Sequence, residues 1–231
     1  MIKKSSVKYP QIKFASDSSI LVRVGESFSR ELFPEVFKTY NKIRRYAEQN
    51  IRSIHPAYNS ILVTFNMGIF SPAEMFDIIN EAVNNNIEIS MPENNIVEIP
   101  VCYEKEFAPD IEEVSKHTGF TVEDVIRRHS NEIYLVYFIG FSPGFPYLGE
   151  LPNELTMPRM QTPRIIVPAG SVAIGGNQTG IYPIDSPGGW RIIGKTPLKL
   201  FTPENESPTL LQMGDNVKFV PITKTEFEKL V

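Results

Sequence analysis

From Tyr134 onward the helical recurrence of apolar residues stops, and short apolar runs alternate with turns bearing glycine and proline. The runs are Tyr134 to Ile139, Ile165 to Val167, Val172 to Ile174, Trp190 to Ile193, Leu198 to Phe201 and Val217 to Val220. Each is too short for a packed helix and must find backbone hydrogen-bond partners in other runs. Such a series predicts a β-barrel or sandwich.

The first part of the chain follows another rule. Gln11 to Ser16 and Ile20 to Val24 read as a pair of short strands. Phe28, Leu32, Val36, Phe37, Tyr40, Ile43 and Ala47 then recur at helical spacing, predicting a helix from about 28 to 49 with Pro34 in its first turns. After a loop containing His55 and Pro56, the run Ser60 to Phe65 is apolar on both sides and should lie inside a sheet. Ser71-Pro72-Ala73-Glu74 has the pattern of a capped helix start, with Met75, Ile78, Ile79, Ala82 and Val83 facing a core and Asn84 to Asn86 ending the helix. The turn-rich Met91 to Asn95 reads as a linker, which places one domain at 1–95 and another at 96–231. The second opens on a strand through Val97, Ile99 and Val101. A short helix from Pro109 to His117, stopped by Gly119, and a helix from Thr121 to about His129 follow.

Composition sets bounds on function. With 42% apolar and 22% charged residues the chain falls in the ordinary globular range. The single cysteine, Cys102, can form no internal disulfide, which fits a reducing cytoplasm. No apolar stretch follows the charged N-terminal residues, so neither secretion nor membrane insertion is expected. Net charge is -4, and the basic cluster Lys42 to Arg45 lies on an amphipathic helix; this is a solvated face rather than a nucleic-acid footprint. His55, His117 and His129 lack metal-ligand spacing, so no metal site is expected. His117 and His129 fall near helix C-termini, where the dipole favours a protonated imidazole, and His129 is also a minor acid–base candidate. Ser142 lies outside any G-x-S-x-G elbow.

Gly189 to Thr196 spells the phosphate-loop pattern G-x-x-x-x-G-K-[ST]. A phosphate loop must lead into a helix, whereas Trp190 to Ile193 has strand composition and Pro197 follows at once. The run Gly175 to Gly180 lacks the lysine and reads as a tight turn exposing Gln178 and Thr179.

Gly140 to Gly149 concentrates aromatic rings, prolines and glycines, as rigid cleft-lining loops do. Arg159 and Arg164 each follow a proline, and a guanidinium so held suits a carboxylate on a small acidic ligand. By composition alone, the same segments suit a barrel whose turns are merely stiffened by proline. The blocks GFSPGFPYLG, PR, PR, VPAGSV, GNQTGIYP, SPGGWRIIGKTPLKLF and LLQMGDNVKFVPI, in this order, resemble the carboxyltransferase-type family of the 5-oxoprolinase B subunit, KipI and allophanate hydrolase subunit 1. The resemblance is specific from about 134 to 221 and weak from 11 to 95.

The resemblance implies an α+β, ferredoxin-like N-terminal domain and a mostly-β, cyclophilin-like barrel. It implies one component of an enzyme that opens 5-oxoproline to glutamate with subunits A and C, inactive alone, with ATP used by the assembled complex and no cofactor assigned to this chain. Its ligand cleft would draw on Phe141, Pro143, Phe145, Tyr147, Arg159, Arg164, Pro168, Gln178, Thr179, Tyr182 and Trp190, with aromatics shaping the pocket, arginines attracting carboxylate, and Gln178 and Thr179 supplying hydrogen bonds. Catalytic residues stay unassigned. The same resemblance carries an alternative, a KipI-like inhibitor of sensor histidine kinase autophosphorylation that uses the aromatic and proline loop as its contact surface. Prolyl isomerisation would rest on barrel likeness alone.

Overall fold

The computed structural model describes residues 8–27, 29–47, 49–92 and 96–231. Phe28, expected to open the first helix, and the expected boundary at Asn95 lie outside the described residues. The chain divides into two compact units, Met1–Met91 and Pro92–Val231.

In the first unit, strands β1 (Gln11–Ser16), β2 (Ser19–Arg23), β3 (Ile51–Pro56) and β4 (Ser60–Phe65) form one antiparallel sheet in the order β1-β2-β4-β3. Ser60 to Phe65 is interior, as its two-sided apolar character predicts. His55 and Pro56 belong to a strand rather than to the expected loop. Period-2 alternation is faint in Ile51–Pro56, and proline is tolerated there because β3 is an edge strand.

Helix α1 (Phe33–Ala47) begins behind a single 3-10 turn and carries Pro34 in its first turn, where a missing N–H costs nothing. It buries Phe33, Val36, Thr39, Ile43 and Ala47, while Arg44 and Arg45 stay exposed. Helix α2 (Pro72–Asn84) opens on a complete capping box: the Glu74 amide donates to Ser71 Oγ at 3.3 Å, and the Ser71 amide donates to Glu74 Oε2 at 2.8 Å. Of the residues expected to face the core, Met75, Ile79, Ala82 and Val83 are buried and Ile78 is half-buried.

The second unit is a closed barrel. Its strands are β5 (Ile96–Cys102), β6 (Ile133–Ile139), β7 (Pro146–Gly149), β9 (Ser171–Gly175), β10 (Gln178–Ile181), β12 (Arg191–Lys195) and β13 (Asn216–Ile222), in the order β10-β7-β6-β13-β5-β12-β9. A separate ribbon pairs β8 (Arg164–Val167) with β11 (Ser186–Gly188). Closure removes the edges that strands this short would otherwise expose. Ile99, Val101, Tyr134, Val136, Leu148, Val172, Ile174, Val217 and Phe219 belong to its core. Helices α3 (Ile111–Thr118) and α4 (Val122–Asn131) follow β5, and Gly119 ends α3 with φ of 76°.

The structure corrects several sequence expectations. Leu198 to Phe201 is not a strand; Phe201 makes only an isolated bridge to Thr209. Pro146–Gly149, expected as loop, is a barrel strand paired with β6. Gln178–Ile181 is likewise a strand, and the turn before it falls at Gly176 and Asn177. The last helix, α5 (Lys224–Leu230), is additional; its signal was Thr223 three residues before Glu226, which forms a second capping box. Arg191–Lys195, by contrast, is a barrel strand as the composition of Trp190 to Ile193 predicts, so the phosphate-loop spelling does not build a phosphate loop.

The expected protonated imidazole at the end of α4 is also overturned. His129 is fully buried, with Nδ1 2.8 Å from Tyr103 Oη and Nε2 2.9 Å from Thr179 Oγ1. Thr179 donates its own proton to Ala173 O at 3.1 Å, so it accepts from Nε2–H and leaves Nδ1 to accept from Tyr103. Burial pushes the imidazole down to about 3, overriding any help from the helix dipole, and pushes the Tyr103 phenol up. A neutral relay results, stacked on Phe219 at 4.6 Å.

Candidate functional site

One cavity of about 320 Å³ in the barrel unit gathers the aromatic residues that the sequence marks. Its construction starts at the loop before β7. Phe145 N donates to Ser142 O at 3.1 Å and Gly140 N to Phe145 O at 3.0 Å, closing the loop on itself. Within it Ser142 N donates to Gly140 O at 2.8 Å, a three-residue turn with Phe141 at its centre and φ of 68°. A non-glycine residue held there costs on the order of 1–2 kcal/mol. Phe141 is thereby turned outward at the cavity mouth, 65% exposed.

Phe145 is the hub. Its ring meets those of Phe141, Tyr147, Tyr182 and Trp190 edge to face, at centroid distances of 5.5, 5.1, 5.2 and 5.8 Å. Such pairs contribute roughly 0.5–1.5 kcal/mol each beyond buried area. Glycines of the neighbouring motifs make room for these rings. A Cβ on Gly175 would stand 2.5 Å from Trp190 Cδ1, one on Gly180 3.0 Å from Phe145 Cζ, and one on Gly188 2.2 Å from Tyr182 Oη.

Arg159 supplies the charge. Its guanidinium carbon lies 5.8 Å from the Trp190 ring centroid and the residue is exposed at the rim. Burial raises the Tyr147 and Tyr182 phenols, with Arg159 opposing the rise in both, so both keep their protons at neutral pH. The cavity therefore presents apolar faces, neutral hydroxyls and one cation.

Arg164 does not line it. Its Nη2 lies 2.6 Å from Asp110 Oδ1 and its Nη1 3.0 Å from Met160 Sδ. The structure thus brings together Phe141, Phe145, Tyr147, Arg159, Tyr182 and Trp190, and leaves Pro143, Arg164, Pro168, Gln178 and Thr179 outside the lining. Thr179 is fully buried and its hydroxyl is engaged with His129 and Ala173, so it offers a ligand no hydrogen bond. Met160, Pro163, Pro187, Gly188 and Gly189 complete the wall. All but Met160 lie in proline or glycine motifs already marked; Met160 carries no signal of its own.

A larger, open cleft of about 520 Å³ lies beside α4, lined by Arg127, Arg128, Glu132, Glu150 and Glu154 among others. Its charges of both signs meet each other, as in the 3.1 Å Arg128–Glu154 pair, and it lacks the convergent aromatic wall. Among the described residues no group of three or more His, Cys, Asp or Glu is placed to hold a metal, and no helix is long and apolar enough to cross a membrane.

A barrel with an aromatic, singly cationic cavity is the setting in which the family comparison belongs. Residues 10–211 match the carboxyltransferase domain, subdomain C and D, and the chain belongs to that family. Within the family it is similar to the 5-oxoprolinase B subunit of Bacillus subtilis (strain 168), 41% identical over 239 residues and 96% of each chain. It is 52% identical over 130 residues to the 5-oxoprolinase B subunit of Escherichia coli O157:H7, a match covering 56% of this chain and 60% of that protein. The crystal structure of TTHA0988 superposes with a TM-score of 0.76 and 33% identity, covering 88% of this chain and 39% of that longer one.

Proposed function

We propose that this chain is the B subunit of a multi-subunit, ATP-dependent 5-oxoprolinase that opens the lactam of 5-oxoproline to glutamate. The observation that carries the proposal is the cavity beneath Phe141, whose chemistry suits a small, flat, acidic ring. The ring's carbons would lie against Phe145 and Trp190, its carboxylate would meet Arg159, and the neutral phenols of Tyr147 and Tyr182 would face its amide. Similarity to the Bacillus subtilis protein along nearly the full length of both chains supports the same reading.

In this proposal residues 1–95 form a ferredoxin-like domain, residues 96–231 a cyclophilin-like barrel, and subunits A and C are the cytoplasmic partners. ATP supplies activation of a poorly electrophilic amide carbonyl in the assembled complex. Gly189 to Thr196 offers it no phosphate loop, because Arg191–Lys195 is committed to the barrel. The role derived for this chain's residues is to bind and orient the ring: aromatic faces exclude water, and one guanidinium fixes the carboxylate end.

The test is ATP-dependent glutamate release from 5-oxoproline by this chain with its A and C partners, each omitted in turn. Turnover that vanishes without this chain supports the assignment; full turnover in its absence overturns it.

A further inference from the structure

Asp110, which the sequence reads only as part of a helix from Pro109 to His117, stands just before α3, and its side chain is 8% exposed. One carboxylate oxygen accepts from Arg164 Nη2 at 2.6 Å and the other from Ile192 N at 2.7 Å. Its own amide donates to Ile192 O at 3.0 Å. The two strands so held begin next to adjoining parts of the cavity wall, which also meet directly where Met160 N donates to Gly189 O at 2.7 Å. Arg164 follows Pro163 and carries Met160 against its Nη1; Ile192 lies two residues beyond Trp190. A second tie runs from the same helix, where Glu113 takes Arg191 through two bonds of 2.8 and 2.9 Å.

We propose that Asp110 is a positioning residue for the aromatic cavity: through Arg164 and Ile192 it fixes the starts of β8 and β12, and with them the adjoining Met160–Pro163 and Trp190 parts of the lining. It also engages Arg164 internally and leaves Arg159 as the cation that a ligand meets. This rests on the cavity being the ligand site of the proposed oxoprolinase. The physical reason is the short range of dispersion: opening a ring contact by about 0.5–1 Å forfeits roughly a quarter to a half of its attraction. A planar ligand held against this lining is therefore sensitive to small shifts of its parts, and a charge-assisted clamp resists such shifts better than apolar packing alone.

The chain has one tryptophan, so Trp190 emission reports this wall directly. Asp110→Asn keeps the volume and removes the charge. Acrylamide quenching of Trp190 in the free chain is expected to rise about twofold, and the KM for 5-oxoproline in the reconstituted complex about tenfold, with kcat changing far less. Arg164→Lys should move both readouts in the same direction, and the double variant should be no worse than the worse single one, because both act through one contact. A variant that melts at lower temperature while quenching and KM stay at wild-type values would overturn the proposal. Should Asp110→Asn fail to fold, Arg164→Lys decides the matter by the same two readouts. Absence of any 5-oxoproline turnover by the wild-type complex would sink the functional assignment, while the quenching comparison would still judge the clamp.

Discussion

Gly175 and Trp190 are fitted to one another: a Cβ on Gly175 would lie 2.5 Å from Trp190 Cδ1 and 2.7 Å from Cγ, inside any real contact distance. Gly175→Ala should therefore displace the indole rather than fill space. The expected outcome is a loss of about 1–3 kcal/mol in urea unfolding, of the size seen for overpacked cores. Trp190 emission should shift to the red in the folded protein. An alanine variant with wild-type emission would show that the ring can yield without cost.

Arg159 is exposed at the rim, so replacing it should cost little stability, within about 0.5 kcal/mol. Arg159→Met should raise the KM for 5-oxoproline by about tenfold to a hundredfold, as expected when one charge-assisted pair is lost. Arg159→Lys should recover part of the loss, since a point charge remains but the planar fork does not. Wild-type KM in the methionine variant would remove Arg159 from the site.

His129 predicts a pH dependence. Its folded pKa of about 3 lies below the ordinary 6.5, so between those values the unfolded chain binds more protons than the folded one. Its contribution is intact above about pH 6.5 and is lost as pH falls toward 3, by up to about 1.4 kcal/mol per pH unit. Urea midpoints from pH 7 to 4 for wild type and His129→Gln should converge as pH falls, because only the wild type must keep a buried imidazole neutral. Parallel curves would mean that His129 does not supply this slope.

Ser71→Ala should destabilise the first unit by about 1 kcal/mol, since the Glu74 amide loses its acceptor and the reciprocal box is broken. Thermal or urea unfolding followed by circular dichroism would measure it. A change below a few tenths would mean that solvent replaces the cap without penalty.

Much of the secondary structure was legible because local physics produces it. Ser71 and Glu74 satisfy helix-end amides whatever surrounds them, Gly119 adopts a left-handed stop, and the two-sided apolar run Ser60 to Phe65 could only be interior. The aromatic half of the cavity was legible too, since Phe141, Phe145, Tyr147, Tyr182 and Trp190 lie in motifs whose prolines and glycines restrict the backbone.

The sequence by itself determined that helices would give way to a β-structure after Tyr134, and that rings and two proline-linked arginines would cluster there. Tertiary structure alone decided what each polar group faces. Arg159 and Arg164 are alike in sequence, yet one stands over Trp190 and the other is bound to Asp110, fifty-four positions away. His129 has the signature of a cation at a helix end, but barrel closure buries it among Tyr103, Thr179 and Phe219 and makes it neutral. Hydrophobic period and turn chemistry are properties of neighbouring residues, whereas desolvation and ion pairing depend on segments brought together only when the chain folds.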